Sequence, residues 1–180
     1  MTDSATGGAG LDRLIAARIR DIPDYPKSGV VFKDITPLLG DGMAFRAVVD
    51  GLAATYGDVD KVAGIEARGF ILAAPVACCL GAGFVPVRKK GKLPAATFSE
   101  DYELEYDTAT IEVHQDAFGP SDRVLIVDDV LATGGTARAT ANLVQRSGAK
   151  VVGIAVLIEL SFLSGRAKLP DLPVSALLAV

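Results

Sequence analysis

The sequence predicts an α/β fold: a central, mostly parallel sheet flanked by helices, with an irregular N-terminal flap. Three observations carry this. Short, wholly apolar runs such as Val62 to Ile65, Phe84 to Val87, Val124 to Val127 and Val151 to Ile158 alternate with helical patterns. Runs apolar on both faces belong to strands covered on both sides, the signature of a parallel sheet. The 180 residues, 50% of them hydrophobic, suit one domain with a sizeable core. Pro23, Pro26, Gly29 and Pro37 break up the stretch from Ile22 to Leu39, which reads as loop.

Residues 1–10 are small and polar and read as a disordered leader. Leu11 to Ile22 has apolar residues at 11, 14, 15, 19 and 22, an amphipathic helical spacing. A short extended piece is expected at Val30 to Phe32, then a helix over Ala44 to Tyr56 stopped by Gly57. Strand Val62 to Ile65, helix Phe70 to Leu80 and strand Phe84 to Val87 follow. Lys89 to Glu105 is polar and bears glycine and proline, so a loop is expected. Thr108 to Val113 alternates and reads as an antiparallel strand. Strand Val124 to Val127, helix Thr136 to Arg146 closed by Ser147-Gly148, and strand Val151 to Ile158 complete the pattern.

The net charge of −4 and pI near 5.0 argue against nucleic acid as a partner, which needs a broad basic face. Cys78 and Cys79 are neighbours, too close for a usual disulfide, and read as two small buried hydrophobes in a reducing cytoplasm. No secretory signal is seen at the N-terminus. Gly69 to Val87 lacks charge over 19 positions, but Pro75, Pro86 and Gly81-Ala82-Gly83 argue for helix, turn and strand rather than a membrane span. His114, the single histidine, has no partners at ligand spacing and reads as a satisfied or surface residue.

The strongest chemical signal is Val124-Leu125-Ile126-Val127-Asp128-Asp129-Val130-Leu131-Ala132-Thr133-Gly134-Gly135-Thr136. An apolar strand delivers two carboxylates to its C-terminal end, where open α/β sheets bind ligands. Gly134 and Gly135 can take positive φ and turn backbone N–H groups inward. Thr133 and Thr136 add hydroxyls, and the helix start adds its dipole. The loop is a cradle for a phosphate monoester. Carboxylates repel phosphate and accept hydrogen bonds from a diol instead. A diol close to a phosphate is a ribose 5-phosphate. Fixed negative charge also favours the cationic sugar of glycosyl transfer.

This run resembles the phosphoribosyl-pyrophosphate motif of the type I phosphoribosyltransferases over all 13 positions. The resemblance implies that family's fold, with a small N-terminal hood over the core, and a Mg²⁺-bound 5-phosphoribosyl-1-pyrophosphate (PRPP). It places the ribose hydroxyls on Asp128 and Asp129 and the 5-phosphate in the loop Ala132 to Thr136. No all-protein metal site is implied, since Mg²⁺ is held mainly through PRPP.

Other segments extend the resemblance. Glu66-Ala67-Arg68-Gly69, at a strand's C-terminal end, offers an Arg to an anion. It is similar to the family's pyrophosphate loop, which implies a non-proline cis peptide at Glu66–Ala67. Many adenine-specific members have Ser where this chain has Ala67. Arg88-Lys89-Lys90-Gly91-Lys92 puts four cations in five residues, and the resemblance selects Arg88 and Lys92 for pyrophosphate, Lys92 from a partner subunit. Glu105 and Tyr106 resemble the Glu-Tyr pair of the adenine-specific members' closing loop, where the Glu is assigned to proton transfer at the purine.

The base would be chosen by Pro26 to Pro37, similar to the hood of the adenine-specific members except at Ser28, where proline is frequent. Phe32 would stack on the base, the Val31 carbonyl would accept from the exocyclic amine, and the Lys33 N–H would donate to a ring nitrogen. A 6-oxo purine reverses both polarities. The implied reaction is adenine plus PRPP giving AMP and pyrophosphate, with residues 1–40 as leader, helix and hood and 41–180 as core. A cytoplasmic homodimer without nucleic-acid or membrane partners is implied. Two rivals stay open: an enzyme for a 6-oxo purine, and a non-catalytic sensor of PRPP, which would need an effector region.

Overall fold

The computed structural model describes residues 6–103 and 108–180. Its elements are α1 (Thr6–Ala16), β1 (Arg20–Ile22), β2 (Phe32–Asp34), α2 (Thr36–Gly40), α3 (Gly42–Ala54), β3 (Lys61–Ile65), α4 (Arg68–Leu80), β4 (Gly83–Lys89), β5 (Thr97–Glu103), β6 (Thr108–His114), β7 (Arg123–Leu131), α5 (Gly135–Arg146), β8 (Lys150–Glu159) and β9 (Val174–Ala179). A seven-stranded sheet runs in the order β5-β6-β4-β3-β7-β8-β9, and β1 pairs with β2 in a separate ribbon. Strands β4, β3, β7, β8 and β9 are parallel, while β6 is antiparallel to both β4 and β5.

Two hydrophobic clusters, one on each face, explain the apolar strands. Val124 and Ile126 of β7 join one cluster with Leu143 and Val144 of α5. Leu125 and Val127 point the other way, onto Leu72 and Val76 of α4 and Val48 of α3. Alternate residues of one strand therefore meet opposite helical layers, and neither set can be polar.

Connectivity places the cleft. The chain leaves β3 through α4 to reach β4 on one side, and leaves β7 through α5 to reach β8 on the other. β3 and β7 are neighbours, so the crossovers diverge between them. That divergence opens a crevice at the carboxyl ends of these two strands.

Several local expectations are corrected. The expected leader of residues 1–10 overlaps α1, which begins at Thr6 despite three glycines in its first five residues. Tertiary packing outweighs that poor propensity, with Ile15 fully buried. The helix stops at Ala16 rather than Ile22, because Arg20 to Ile22 pair with Phe32 to Asp34. Cross-strand ion pairs Arg20–Asp34 and Lys33–Asp21, both 2.8 Å, support that ribbon.

The expected loop Lys89 to Glu105 contains β5, which pairs with β6 from Thr97↔His114 to Glu103↔Thr108. Phe98 and Tyr102 pack on the core, while Glu100 accepts from Asn142 of α5 at 2.8 Å. The acidic composition hid this period-2 pattern. β9 was not expected at all. Cys78 and Cys79 are exposed rather than buried, because they fall on the outer side of the last turn of α4. His114 is half-buried and its Nε2 is buried without a hydrogen-bond partner among the described residues, so it is neither satisfied there nor simply on the surface. No helix among the described residues is long and apolar enough to cross a membrane.

Candidate active site

The phosphate loop follows β7 directly. Gly134 sits at φ 78°, at the N-cap of α5, where no side chain caps the helix. Its left-handed backbone turns the chain into α5 and leaves the first amides of the helix free. Gly135 is helical, so the expected pair of positive-φ glycines reduces to one. Ala132, Thr133, Gly134, Gly135 and Thr136 wall a cavity of about 70 Å³ that reaches Asp128. The cradle expected from the sequence and the first acid, Asp128, thus share one cavity.

The acids are set by a mismatch in strand length. β7 continues to Leu131 beside β8, but its pairing with β3 ends at Gly64↔Val127. Asp128 therefore lies past the last bridge to β3, level with its final residue Ile65, and Asp129 lies beyond it, beside the turn into α4. They belong to the strand rather than following it, a refinement of the expected Val124 to Val127. Gly69 makes the approach possible: a β-carbon there would come 2.8 Å from Asp128 Oδ1 and 3.0 Å from the Val127 carbonyl oxygen.

Both carboxyls are pushed above the usual carboxylate range. Burial is the main cause at Asp128, and the neighbouring Asp129 charge adds to it. At Asp129, 5% exposed, burial again raises the pKa, while the Arg68 guanidinium works against it. Arg68 Nη2 lies 2.9 Å from Asp129 Oδ2, yet this oxygen accepts no hydrogen bond among the described residues, so the contact is one of charge off the N–H axis. A buried acceptor with an unfilled hydrogen-bonding capacity therefore sits next to the cavity-lining Asp128.

The turn Glu66 to Gly69 contains a cis Glu66–Ala67 peptide, as expected. Arg68 opens α4, stacks over the Phe32 ring at 4.6 Å and donates to the Lys33 carbonyl oxygen at 3.1 Å. It joins the sequence-distant Phe32 segment to the acids, a link with no local sequence signal. Glu66 faces the basic run: its carboxylate accepts from Arg88 Nε at 3.2 Å and from the Lys89 N–H at 2.9 Å. Burial opposes the Glu66 charge, but the Lys89 N–H and Arg88 outweigh it and hold the pKa below the usual value. Arg88 also donates to the Lys92 carbonyl oxygen at 3.2 Å, which ties Lys92 to the same corner.

Val31 is 49% exposed beside Phe32, and Tyr25 meets the Phe32 ring edge-on at 5.2 Å. Arg68 thus ties Phe32 and Lys33 to Asp129, with Val31 next to them in sequence. Glu105 and Tyr106 lie outside the described residues.

A family model described as phosphoribosyl transferase domain matches residues 39–171, which include the whole strand, acid pair and cradle. The chain belongs to this family. An adenine phosphoribosyltransferase of Acidothermus cellulolyticus is 64% identical over 174 residues, covering 96% of this chain and 98% of that protein. Among solved phosphoribosyltransferases, the adenine phosphoribosyltransferase of Rhodothermus marinus superposes with a TM-score of 0.92 at 52% identity, covering 96% of this chain and 99% of that one. The adenine phosphoribosyltransferase of Saccharomyces cerevisiae, solved with an imino-altritol bisphosphate and adenine, has a TM-score of 0.89 at 35% identity, covering 94% and 99%. This phosphoribosyltransferase therefore shares its mostly parallel sheet and flanking helices with enzymes of that name.

Proposed function

We infer that the chain is a purine salvage enzyme that transfers the 5-phosphoribosyl group of PRPP to N9 of adenine, giving AMP and pyrophosphate. The observation that carries the reading is the Asp128 carboxylate lining the same cavity as the anion cradle Ala132 to Thr136. Relatives named adenine phosphoribosyltransferase over nearly the full length support the choice of base.

Each half of the site has a task. The backbone N–H groups of Ala132 to Thr136, with the Thr133 and Thr136 hydroxyls, hold the 5-phosphate. Asp128 and Asp129 accept hydrogen bonds from the ribose diol and face the ring as it becomes cationic. Pyrophosphate lies against the backbone of Glu66 and Ala67 and the cations Arg68, Arg88 and Lys92. The Glu66 side chain orients Arg88 rather than meeting the anion, since it already engages Arg88 and Lys89. Phe32 stacks on adenine, with the Val31 carbonyl and the Lys33 N–H reading its edge. Glu105 takes the N9 proton, and Tyr106 belongs to the closing loop. Holding both substrates in one crevice supplies orientation, and no covalent enzyme intermediate is required.

The donor set fits Mg²⁺: two carboxylates, one with an unfilled oxygen, are hard oxygen ligands. Bound mainly through PRPP, the ion would supply positive charge for the departing pyrophosphate. Residues 1–40 are the N-terminal segment with the helix and hood, and residues 41–180 the core. Met43 of α3 and Phe84 of β4 are exposed apolar side chains on elements that each pack against α4, whose Ile71 is also exposed, which suits a homodimer face. The free thiols of Cys78 and Cys79 suit the cytoplasm.

Pyrophosphate release is the test. Wild-type protein with PRPP and Mg²⁺ should release it only when adenine is added, and Asp129→Asn and Glu105→Ala should both be impaired. Release at equal rate without adenine, or by Asp129→Asn, would overturn the reading.

A further inference from the structure

We propose that Gly165 and Arg166, on the turn between β8 and β9, are positioning residues for the 5-phosphate cradle. Neither offers a polar group to the ligand, and the proposal rests on the assignment of Ala132 to Thr136 to the 5-phosphate.

The turn and the loop leave adjacent strands side by side. Leu131, the last residue of β7, is in register with Glu159, the last of β8, and the Leu160 N–H donates to the Leu131 carbonyl at 2.9 Å. From there β7 enters the cradle, and β8 enters two short 3₁₀ turns, Ser161–Leu163 and Gly165–Lys168. The second turn folds back over the cradle.

The contact is backbone on backbone. Gly165 is buried. A β-carbon on it would collide with the Ala132 carbonyl oxygen and would lie 3.1 Å from the Gly134 nitrogen. A β-carbon on Gly134 would collide with the Gly165 carbonyl oxygen. Both glycines are needed at one crossing, and no flexible side chain can move aside to relieve either clash.

Arg166 clamps the crossing. Its Nε and Nη2 donate to both oxygens of Glu159 at 2.7–2.9 Å, and its Nη1 donates to the Val174 carbonyl at 2.7 Å. Glu159 is only 8% exposed, so the pair anchors the turn to the end of β8 and the start of β9. At the far end, Arg138 in the first turn of α5 donates to the Lys168 carbonyl at 2.8 Å and pairs with Asp171. The cradle is thus held against the turn at both of its ends.

A site made of amides needs them to converge on one point before the anion arrives, with tolerances of roughly 0.5 Å. Gly165→Ala would push the cradle away from the turn, and loss of the Arg166 fork would let the turn drift. Either change weakens ligands that bring a phosphate monoester and spares ligands that do not.

The experiment titrates wild type, Gly165→Ala, Arg166→Lys and Arg166→Gln with ribose 5-phosphate and, separately, with inorganic pyrophosphate. KM values for PRPP and adenine are measured alongside. Ribose 5-phosphate affinity should fall at least tenfold in Gly165→Ala and Arg166→Gln, and less in Arg166→Lys. Pyrophosphate affinity and the KM for adenine should stay within about twofold. If Gly165→Ala does not fold, the Arg166 pair decides. Ribose 5-phosphate binding within twofold of wild type in the folded variants would overturn the proposal, and so would a parallel fall in every affinity. A wild type that binds ribose 5-phosphate but makes no AMP would instead sink the proposed reaction and leave this inference standing.

Discussion

The guanidinium of Arg68 lies 4.6 Å above the ring of Phe32, stacked on the aromatic face. The same group reaches the Lys33 carbonyl and Asp129. One side chain therefore couples the hood, which would read the base, to the acids, which would read the sugar. A planar fork can stack and point in two directions at once, whereas an ammonium cannot. Arg68→Lys should lower kcat/KM at least tenfold, a loss of about 1.4 kcal/mol in transition-state stabilisation. Steady-state kinetics check this, and a lysine variant equal to wild type would show that charge alone suffices.

Burial and the neighbouring Asp129 charge raise the Asp128 pKa in the folded chain above its ordinary value of 3.8. The contribution to stability is then fully present below pH 3.8. It is lost as the pH rises through the folded pKa, because the unfolded chain ionises first. Asp128→Asn removes this loss and keeps an oxygen to accept from the Asp129 N–H, now 2.8 Å from Oδ1. Its Tm at pH 8 should exceed that of wild type, with a gain of ~1 kcal/mol worth about 2–4 °C, while activity falls. Thermal melts at pH 5 and pH 8 read it out. A variant less stable than wild type at pH 8 would contradict the sign.

Gly69 lets the start of α4 touch the acid-bearing strand. Gly69→Ala would force Asp128 and the β7 backbone aside, at a cost of about 1–3 kcal/mol for an overpacked site. PRPP affinity should drop by more than stability does, since the displaced group is a site carboxylate. Equal PRPP affinity in a folded Gly69→Ala protein would show that the contact relaxes without consequence.

Phe32→Ala should separate the two substrates. Stacking of a base on an aromatic ring is worth about 1–3 kcal/mol, so the KM for adenine should rise by roughly tenfold. Ribose 5-phosphate affinity should change little. The two constants, measured on one preparation, test the division of the crevice into base and sugar halves.

Long apolar runs and the acid-glycine-threonine order made the sheet core and the donor site legible. Val124 to Val127 could hardly be anything but a central strand, and its continuation to Leu131 required only the partner β8, which sequence does not display. What stayed hidden depends on partners. β5 is acidic and half-exposed, and it becomes a strand through β6 and α5. β1 is too short to show a period, and its ion pairs with β2 are non-local. Gly165 looks like any turn glycine until Gly134 is placed against it. Arg68 could be read as an anion ligand from its position after β3, but its seat on Phe32 spans 36 residues of chain and leaves no local trace.

The central claim is transfer to adenine, and a panel of bases tests it most directly. Adenine, hypoxanthine, guanine and xanthine are each incubated with PRPP, Mg²⁺ and the protein, and the nucleotide formed is quantified. AMP should appear in equal amount with pyrophosphate, and the 6-oxo purines should give little or no product. Turnover of hypoxanthine or guanine without turnover of adenine would contradict the account.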